Sequence, residues 1–256
     1  MQELVKEIND YWSHRAVSYS EVNQTELAGC QHGLWKKELE KKLREVFKSA
    51  SLQELSVLDI GTGPGFFAIL LAELGCKVTA VDANEAMLQQ ARRNAGALAK
   101  KIIFAQMGAQ RLNFATGSFD VVISRNLTWV LTDPGRAYGE WCRVLKKGGL
   151  LLNFDANWYG YLYDEEKRRA YEKDREEVEA QGMEDHFIGT DIEAMEKIAL
   201  AVPLSTEQRP AWDEKILSVC GMQKIKFDFS INERLLSDTE RVNYASTPYF
   251  GIAAVK

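Results

Sequence analysis

Hydrophobic and polar positions along the chain follow two different rhythms, and the change between them falls near residue 56. Upstream, apolar residues recur at helical spacing. Leu4, Val5 and Ile8 make one face, and Leu34, Trp35, Leu39, Leu43, Val46 and Phe47 make a second at i, i+4, i+8 intervals. The stretch between them, YWSHRAVSYSEVNQTE, is polar and aromatic and has no clear period. Downstream, short apolar runs alternate with helical segments. Strands are predicted at Val57–Ile60, Lys77–Val81, Ile102–Ala105 and Phe119–Ser124, with a fifth in LLLNF after Gly148-Gly149. Helices are predicted over Phe66–Leu74, closed by Gly75, over Glu85–Leu98, and from Asp133-Pro134 to about Leu145, where Asp caps and Pro fits the first turn. Such alternation predicts βαβ units and a parallel, doubly wound α/β sheet, and the near-continuous apolar runs predict strands buried on both faces.

The rhythm breaks after Phe154. Residues 155–209 carry no strand signal, and Asp164–Glu179 reads as a highly charged, solvated helix. Alternation returns with a helix over Pro210–Val219 closed by Gly221, a strand over Lys224–Ile231 and a last strand over Tyr249–Val255. The break reads as an insertion at the ligand-binding edge of the sheet.

Chemistry concentrates in Val57-Leu-Asp-Ile-Gly-Thr-Gly-Pro-Gly-Phe-Phe67, where strand one meets the next helix. Gly61, Gly63 and Gly65 leave no Cβ between backbone and a ligand. The spacing is G-x-G-x-G, with Phe66 where a dinucleotide fingerprint has its third glycine, and Asp59 stands two residues before the turn. A local acid disfavours a phosphate and suits a ligand with a positive amino group. These two features argue against a nicotinamide-dependent oxidoreductase, and the segment has no Walker signature. A second acid, Asp82, ends strand two 21 residues after Gly61, where a doubly wound fold places the carboxylate that accepts from a ribose hydroxyl.

With these segments in order, the chain resembles the class I S-adenosylmethionine-dependent methyltransferases, in particular the small-molecule branch called type 11. The resemblance rests on VLDIGTGPGFFAILLAELG, VTAVDANEAMLQQAR, FAQMGAQRLNFATGSFDVVISRNLTW, DPGRAYGEWCRVLKKGGLLL and YWSHRAVSYS. It covers roughly residues 9–155 and, more weakly, the last 45 residues. It implies a Rossmann-like seven-stranded sheet with an N-terminal helical cover over residues 1–50. The cofactor core would be 51–155 and 210–256, with a helical lid insertion over 156–209, all in one domain. It implies S-adenosyl-L-methionine as cofactor. The glycines and Thr62 would face its methionine end, Asp59 its amino group, Asp82 its ribose, and Ala83 and Met87 its adenine, although Met87 also reads as helix core. Ala109 and Gln110 would meet the adenine edge. Arg125 and Asn126 would sit near the sulfonium, under Tyr11 and Tyr19 of the N-terminal segment, where Trp12 and Arg15 are further candidates. One position departs from the family: where an Asp usually accepts from the adenine amino group, this chain has Gly108, leaving Gln110 or water to serve.

For the acceptor, the sequence offers Trp129 and the cluster Asp155, Asn157, Trp158, Tyr159, Tyr161 and Tyr163. These aromatics either shape an acceptor pocket or pack the insertion onto the sheet. His186 is the one histidine of the insertion and the natural base candidate, with Tyr19 the other catalytic candidate. Arg209 and Trp212 read as substrate contacts or surface residues. Alternative readings are a non-catalytic module that binds the cofactor and a protein methyltransferase.

Composition narrows the partners. With 32 Lys+Arg against 37 Asp+Glu the net charge is −5, which disfavours nucleic acid as the acceptor and favours a small molecule. Cys30, Cys76, Cys142 and Cys220 are scattered, as are the three histidines, so neither a disulfide framework nor a metal site is expected. No apolar run is long enough to cross a bilayer and MQELVKEINDYW has no signal-peptide core, so no membrane partner and a cytoplasmic location are expected.

Overall fold

A computed structural model of the chain describes residues 2–187 and 190–256. Seven strands form one sheet: β1 (Ser56–Ile60), β2 (Lys77–Asp82), β3 (Ile102–Gln106), β4 (Phe119–Arg125), β5 (Leu145–Asp155), β6 (Gln223–Asp228) and β7 (Phe250–Val255). Their order is β3-β2-β1-β4-β5-β7-β6. The first five pair in parallel, whereas β7 runs antiparallel to both β5 and β6. The order reverses between β1 and β4, so a crevice opens at the carboxyl ends of these strands, the place where doubly wound sheets bind ligands.

Helices cover both faces. On one, α2 (Cys30–Val46) and α3 (Phe66–Glu73) bury Trp35, Leu39, Leu43, Phe67 and Leu70 against β1 and β5. The other buries Tyr138, Trp141 and Val144 of α5 (Pro134–Val144) and Leu217 of α8 (Ala211–Val219). The Asp133 carboxylate accepts from Arg136 N at 3.0 Å and caps α5 as its sequence predicts. The remaining helix between strands, α4 (Glu85–Ala95), is capped by Asn84, whose Oδ1 accepts from Met87 N at 3.2 Å.

The expected helical cover runs unbroken through the segment without a period, and two strand bounds are corrected. The segment without a period is part of one long helix, α1 (Gln2–Ala28). Its inward face buries Ser20, Asn23 and Glu26 beside Ala16, because its partners are polar: Asn94 Nδ2 donates to Ser20 Oγ at 3.0 Å and Arg125 donates to Glu26 at 2.8 Å. A helix that buries polar residues against polar partners shows no apolar period. The strand over Lys224–Ile231 stops at Asp228, whose Oδ1 accepts from Ser230 N and Ser230 Oγ, a turn that ends the ladder. Beyond it the chain forms α9 (Ile231–Leu235) and α10 (Asp238–Asn243), the latter opened by a capping box between Ser237 and Glu240. Finally, β5 begins at Leu145 and runs through the glycine pair, with a register shift where it meets β4.

The insertion is helical, with α6 (Glu165–Ala180) and α7 (Ile192–Ala201). Residues 188 and 189 of the predicted lid lie outside the described residues. No described helix is long and apolar enough to cross a membrane, and no described cluster of His, Cys, Asp and Glu could hold a metal ion.

Candidate functional site

At the carboxyl ends of β1, β2 and β4 lies a cavity of about 720 Å³. The glycine turn forms its floor. Gly61, Gly63 and Gly65 all have left-handed backbones, with φ of 65°, 52° and 94°. A Cβ on Gly61 would stand 2.6 Å from the Leu127 side chain, and one on Gly65 would stand 3.0 Å from Ala91. Glycine is therefore required at both by backbone and by space. Thr62 N donates to Val81 O and Met107 N to Asp82 O, which lock the turn and the segment after β3 to the end of β2.

Two carboxylates face the floor, and these are the only ones lining the cavity among the described residues. Asp82 Oδ2 accepts from Gly63 N at 2.9 Å and its Oδ1 from Asn84 N at 2.8 Å. Asp59 Oδ2 accepts from Thr62 Oγ1 at 2.6 Å. Burial outweighs these neutral donors, raising Asp59 to about 7 and Asp82 to about 6. A cationic ligand would favour the ionised form of both.

The N-terminal helix supplies one wall of the cavity. Trp12, Tyr19 and Asn23 line it, and Tyr19 would meet a Cβ on Gly63 at 3.7 Å. Two asparagines hold α1 down. Asn84 Nδ2 donates to Asn9 O and Ser13 Oγ, while Asn94 Nδ2 donates to Ser20 Oγ and Pro64 O. Tyr11 packs edge-on against Trp12, 5.4 Å between ring centres, and does not itself line the cavity. At the inner end, both terminal nitrogens of Arg125 donate to Glu26 at 2.8 Å, and the guanidinium lies 4.4 Å above the Phe66 ring. Arg125 thus lines the cavity with its charge already paired. Asn126, in the left-handed region at φ 55°, donates from Nδ2 to Tyr249 Oη at 2.9 Å.

The far end is lined by Ala83, Met87, Gly108, Ala109 and Gln110, the residues proposed for the adenine. Gln110 Oε1 is already occupied: it accepts from Thr132 Oγ1 at 3.1 Å and from Asp133 N at 3.3 Å. The suggestion that this oxygen replaces the missing aspartate at Gly108 is therefore at odds with the geometry. Asn84, Leu131 and Thr132 complete this end and Leu127 lies over Gly61; none of the four was singled out by sequence reasoning. For Asn84 a signal existed, a cap residue directly after the acid of β2; for the segment after β4, which lacks a period, there was none.

The acceptor candidates lie elsewhere. Trp129, Asp155, Trp158, Tyr159 and Tyr163 do not line the cavity. Asp155 is fully buried in an ionic network in which Arg209 donates to Asp155 Oδ2 at 2.9 Å and to Asp213 Oδ1 at 2.8 Å. Tyr138 Oη donates to Asp213 at 2.6 Å, and the Thr128 hydroxyl and Trp129 N donate to Asp155. Arg209 is thus not a surface residue but the cation that fastens the end of the insertion to β5. Trp158 Nε1 donates to Asp155, Tyr159 packs 5.1 Å from Trp129, and Tyr163 Oη donates to Leu200 O. The cluster packs the insertion onto the sheet. Trp212 packs on Tyr138 at 6.2 Å. His186 Nδ1 hydrogen-bonds Tyr244 Oη at 2.9 Å, and burial lowers its pKa, favouring the neutral ring.

Residues 58–153 match the family model described as a methyltransferase domain. A malonyl-[acyl-carrier protein] O-methyltransferase of Legionella pneumophila is 32% identical over 149 residues, 57% of this chain and 48% of that protein. A ubiquinone biosynthesis O-methyltransferase of Caulobacter vibrioides is 33% identical over 104 residues, 40% of this chain and 41% of that protein. The chain spans about half the length of the curated relatives it matches. Among solved structures, a candidate S-adenosyl-L-methionine-dependent methyltransferase of Methanococcus maripaludis aligns with TM-score 0.60 at 18% identity, covering 95% of this chain and 93% of that one. Haemonchus contortus phosphoethanolamine N-methyltransferase 2, solved with S-adenosyl-L-methionine, aligns with TM-score 0.57 at 17% identity, covering 86% and 52%. At these identities the structural likeness is one of fold. The matched segment runs from β1 to β5 and supplies most of the cavity wall, so the part of the chain that is similar to a methyltransferase domain is the part that builds the cavity.

Proposed function

We propose that the chain binds S-adenosyl-L-methionine in this cavity and transfers its methyl group to a small-molecule acceptor. The observation that carries the reading is the glycine turn clasped by Asp82: three left-handed glycines beside the buried Asp59 and the half-buried Asp82, both with raised pKa values. Asp59, with Thr62, would receive the amino group of the cofactor and Asp82 its ribose hydroxyls. Met87, Ala83 and the wall after β3 would enclose the base. When bound, the cofactor supplies an already activated methyl group. The chain's own task is to orient an acceptor and exclude water, to which α1 contributes one wall of the cavity. Tyr19 and Asn126 flank the inner end, next to Gly63 and Leu127. Burial lowers the pKa of His186, but the ring is bonded to Tyr244 and lies outside the cavity lining. It therefore positions Tyr244 rather than touching the acceptor.

A small acceptor is favoured by the net charge of −5 and by the residues of α1 that line one side of the cavity. The test is calorimetry of the purified chain with S-adenosylhomocysteine and with NADH. Binding of the first without the second is expected; heat with NADH alone, or no heat with either at millimolar concentration, overturns the reading. A cofactor-binding chain that methylates nothing in a broad screen of small acceptors would be a non-catalytic module instead.

A further inference from the structure

The segment that follows β4 has two faces. Asn126, Leu127, Val130, Leu131 and Thr132 line the cavity, whereas Thr128 and Trp129 do not. Thr128 is fully buried, and its hydroxyl is bonded behind the wall. That hydroxyl donates to Asp155, and its oxygen accepts from Arg209 Nη2 at 2.6 Å and from Asn153 Nδ2 at 3.1 Å. Trp129 N donates to Asp155 Oδ2 at 3.0 Å, and Asn126 N donates to Phe154 O at 2.9 Å. The wall is thus fastened from outside the cavity, to the end of β5 and to one guanidinium. Both ends of the insertion meet at the same carboxylate. Trp158 Nε1 donates to Asp155 Oδ1 at 3.2 Å, and Arg209 Nη1 donates to Asp155 Oδ2 at 2.9 Å.

On the cavity side, Leu127 carries the position of Thr128 to the floor. A Cβ on Gly61 would stand 2.6 Å from Leu127 Cδ2, so this side chain packs directly on the glycine turn. A shift of Thr128 moves its neighbour Leu127 against that turn. Desolvation offsets most of the attraction within a buried ion pair, and what its bonds supply is direction. Resting on the cofactor reading above, we infer that Thr128, Asp155 and Arg209 are positioning residues: they hold Leu127 and its neighbours at the distance from the glycine turn that the ligand needs. The insertion then governs the cavity through Arg209 and Trp158, although none of its described residues lines it.

The experiment removes the hydroxyl and keeps the shape, in Thr128→Val. Each partner of that hydroxyl retains another bond, Asp155 to Trp129 N, Arg209 to Asp213 and Asn153 to Tyr138 Oη, so the variant should fold. Calorimetry of the full chain with S-adenosylhomocysteine should show affinity about tenfold weaker in Thr128→Val. Thr128→Ser restores the hydroxyl and should stay within about twofold of the unaltered chain. Amide hydrogen exchange over residues 126–132 should be faster in Thr128→Val than in Thr128→Ser. Leu145→Ala, a cavity-forming change at the opposite end of β5 from Asp155, controls for stability: it should lower the unfolding midpoint and leave affinity within about twofold. Affinity within about twofold in Thr128→Val, a serine variant as weak as the valine one, or an equal loss in Leu145→Ala overturns the inference. Arg209→Lys, which keeps the charge and loses the fork, serves with the same expected and overturning results if Thr128→Val does not fold. Should the unaltered chain bind no S-adenosylhomocysteine, the cofactor reading falls. Exchange over 126–132 then decides the positioning, and unaltered exchange in Thr128→Val overturns it.

Discussion

Two pairs of aspartates lie at the carboxyl edge of the sheet, Asp59 and Asp82 on β1 and β2, and Asp155 at the end of β5 with Asp213 of α8, and they are built in opposite ways. Asp155 and Asp213 share Arg209 between them and are further bonded by Thr128, Trp129 N and Tyr138, so their charge is met inside the protein. Asp59 and Asp82 receive only neutral donors, Thr62 Oγ1, Gly63 N and Asn84 N, and burial leaves them at about 7 and 6. A buried carboxylate with a cation of its own is a structural part. One without such a cation favours a ligand that supplies positive charge or strong donors. The contrast also explains why the aromatic cluster after β5 holds the insertion down instead of shaping the cavity: it is anchored on the finished pair, through Trp158 and Asp155.

Breaking the first pair should have the largest effect. Arg209→Met leaves two carboxylates buried without their cation and should destabilise the fold by about 3–5 kcal/mol in urea unfolding, with much of the loss recovered when Asp155→Asn and Asp213→Asn are added. A cost under about 1 kcal/mol would erase the distinction between the pairs. Next comes Asp82→Asn, which should weaken S-adenosylhomocysteine by about 10- to 100-fold, the worth of about 1.5–3 kcal/mol in bonds to a charged acceptor. The same variant should not lower stability of the free protein, because it removes a half-buried charge that no cation meets; parallel loss of stability and binding would show that Asp82 is structural after all.

A third effect is pH dependence. Raised carboxylate pKa values mean that protonation competes with any ligand that needs the ionised form. With Asp59 at about 7, affinity for S-adenosylhomocysteine should fall by about tenfold between pH 8 and pH 6, and Asp59→Asn should flatten that slope. For the free protein the sign is reversed. An acid whose folded pKa exceeds its unfolded value destabilises the fold once ionised, so these two groups favour stability as pH falls from about 7 toward the ordinary carboxylate range. The smallest effect belongs to Tyr163→Phe. Its exposed hydroxyl makes one bond, to Leu200 O, and its removal should change stability by less than about 1 kcal/mol and leave cofactor affinity untouched.

Much of this molecule was legible in its residue order. The strands β1 to β5, the helix caps at Asp133 and Gly75, the glycine turn and Asp82 all follow from local pattern, because a parallel strand buried on both faces and a left-handed glycine leave marks within a few residues of themselves. The path of α1 left no such mark: its buried face is polar, and the partners that make it so, Asn94 and Arg125, lie about 70 to 100 positions away. The antiparallel entry of β7 between β5 and β6 is likewise decided by pairing, not by its own apolar run. Arg209 read as a possible surface residue, since nothing near it in sequence announces Asp155, 54 residues earlier. The sequence by itself determined which residues could bind a cofactor. Only the tertiary structure decided which acids received a cation and which did not, because charge compensation is settled by distance in space and burial, and neither is encoded in spacing along the chain.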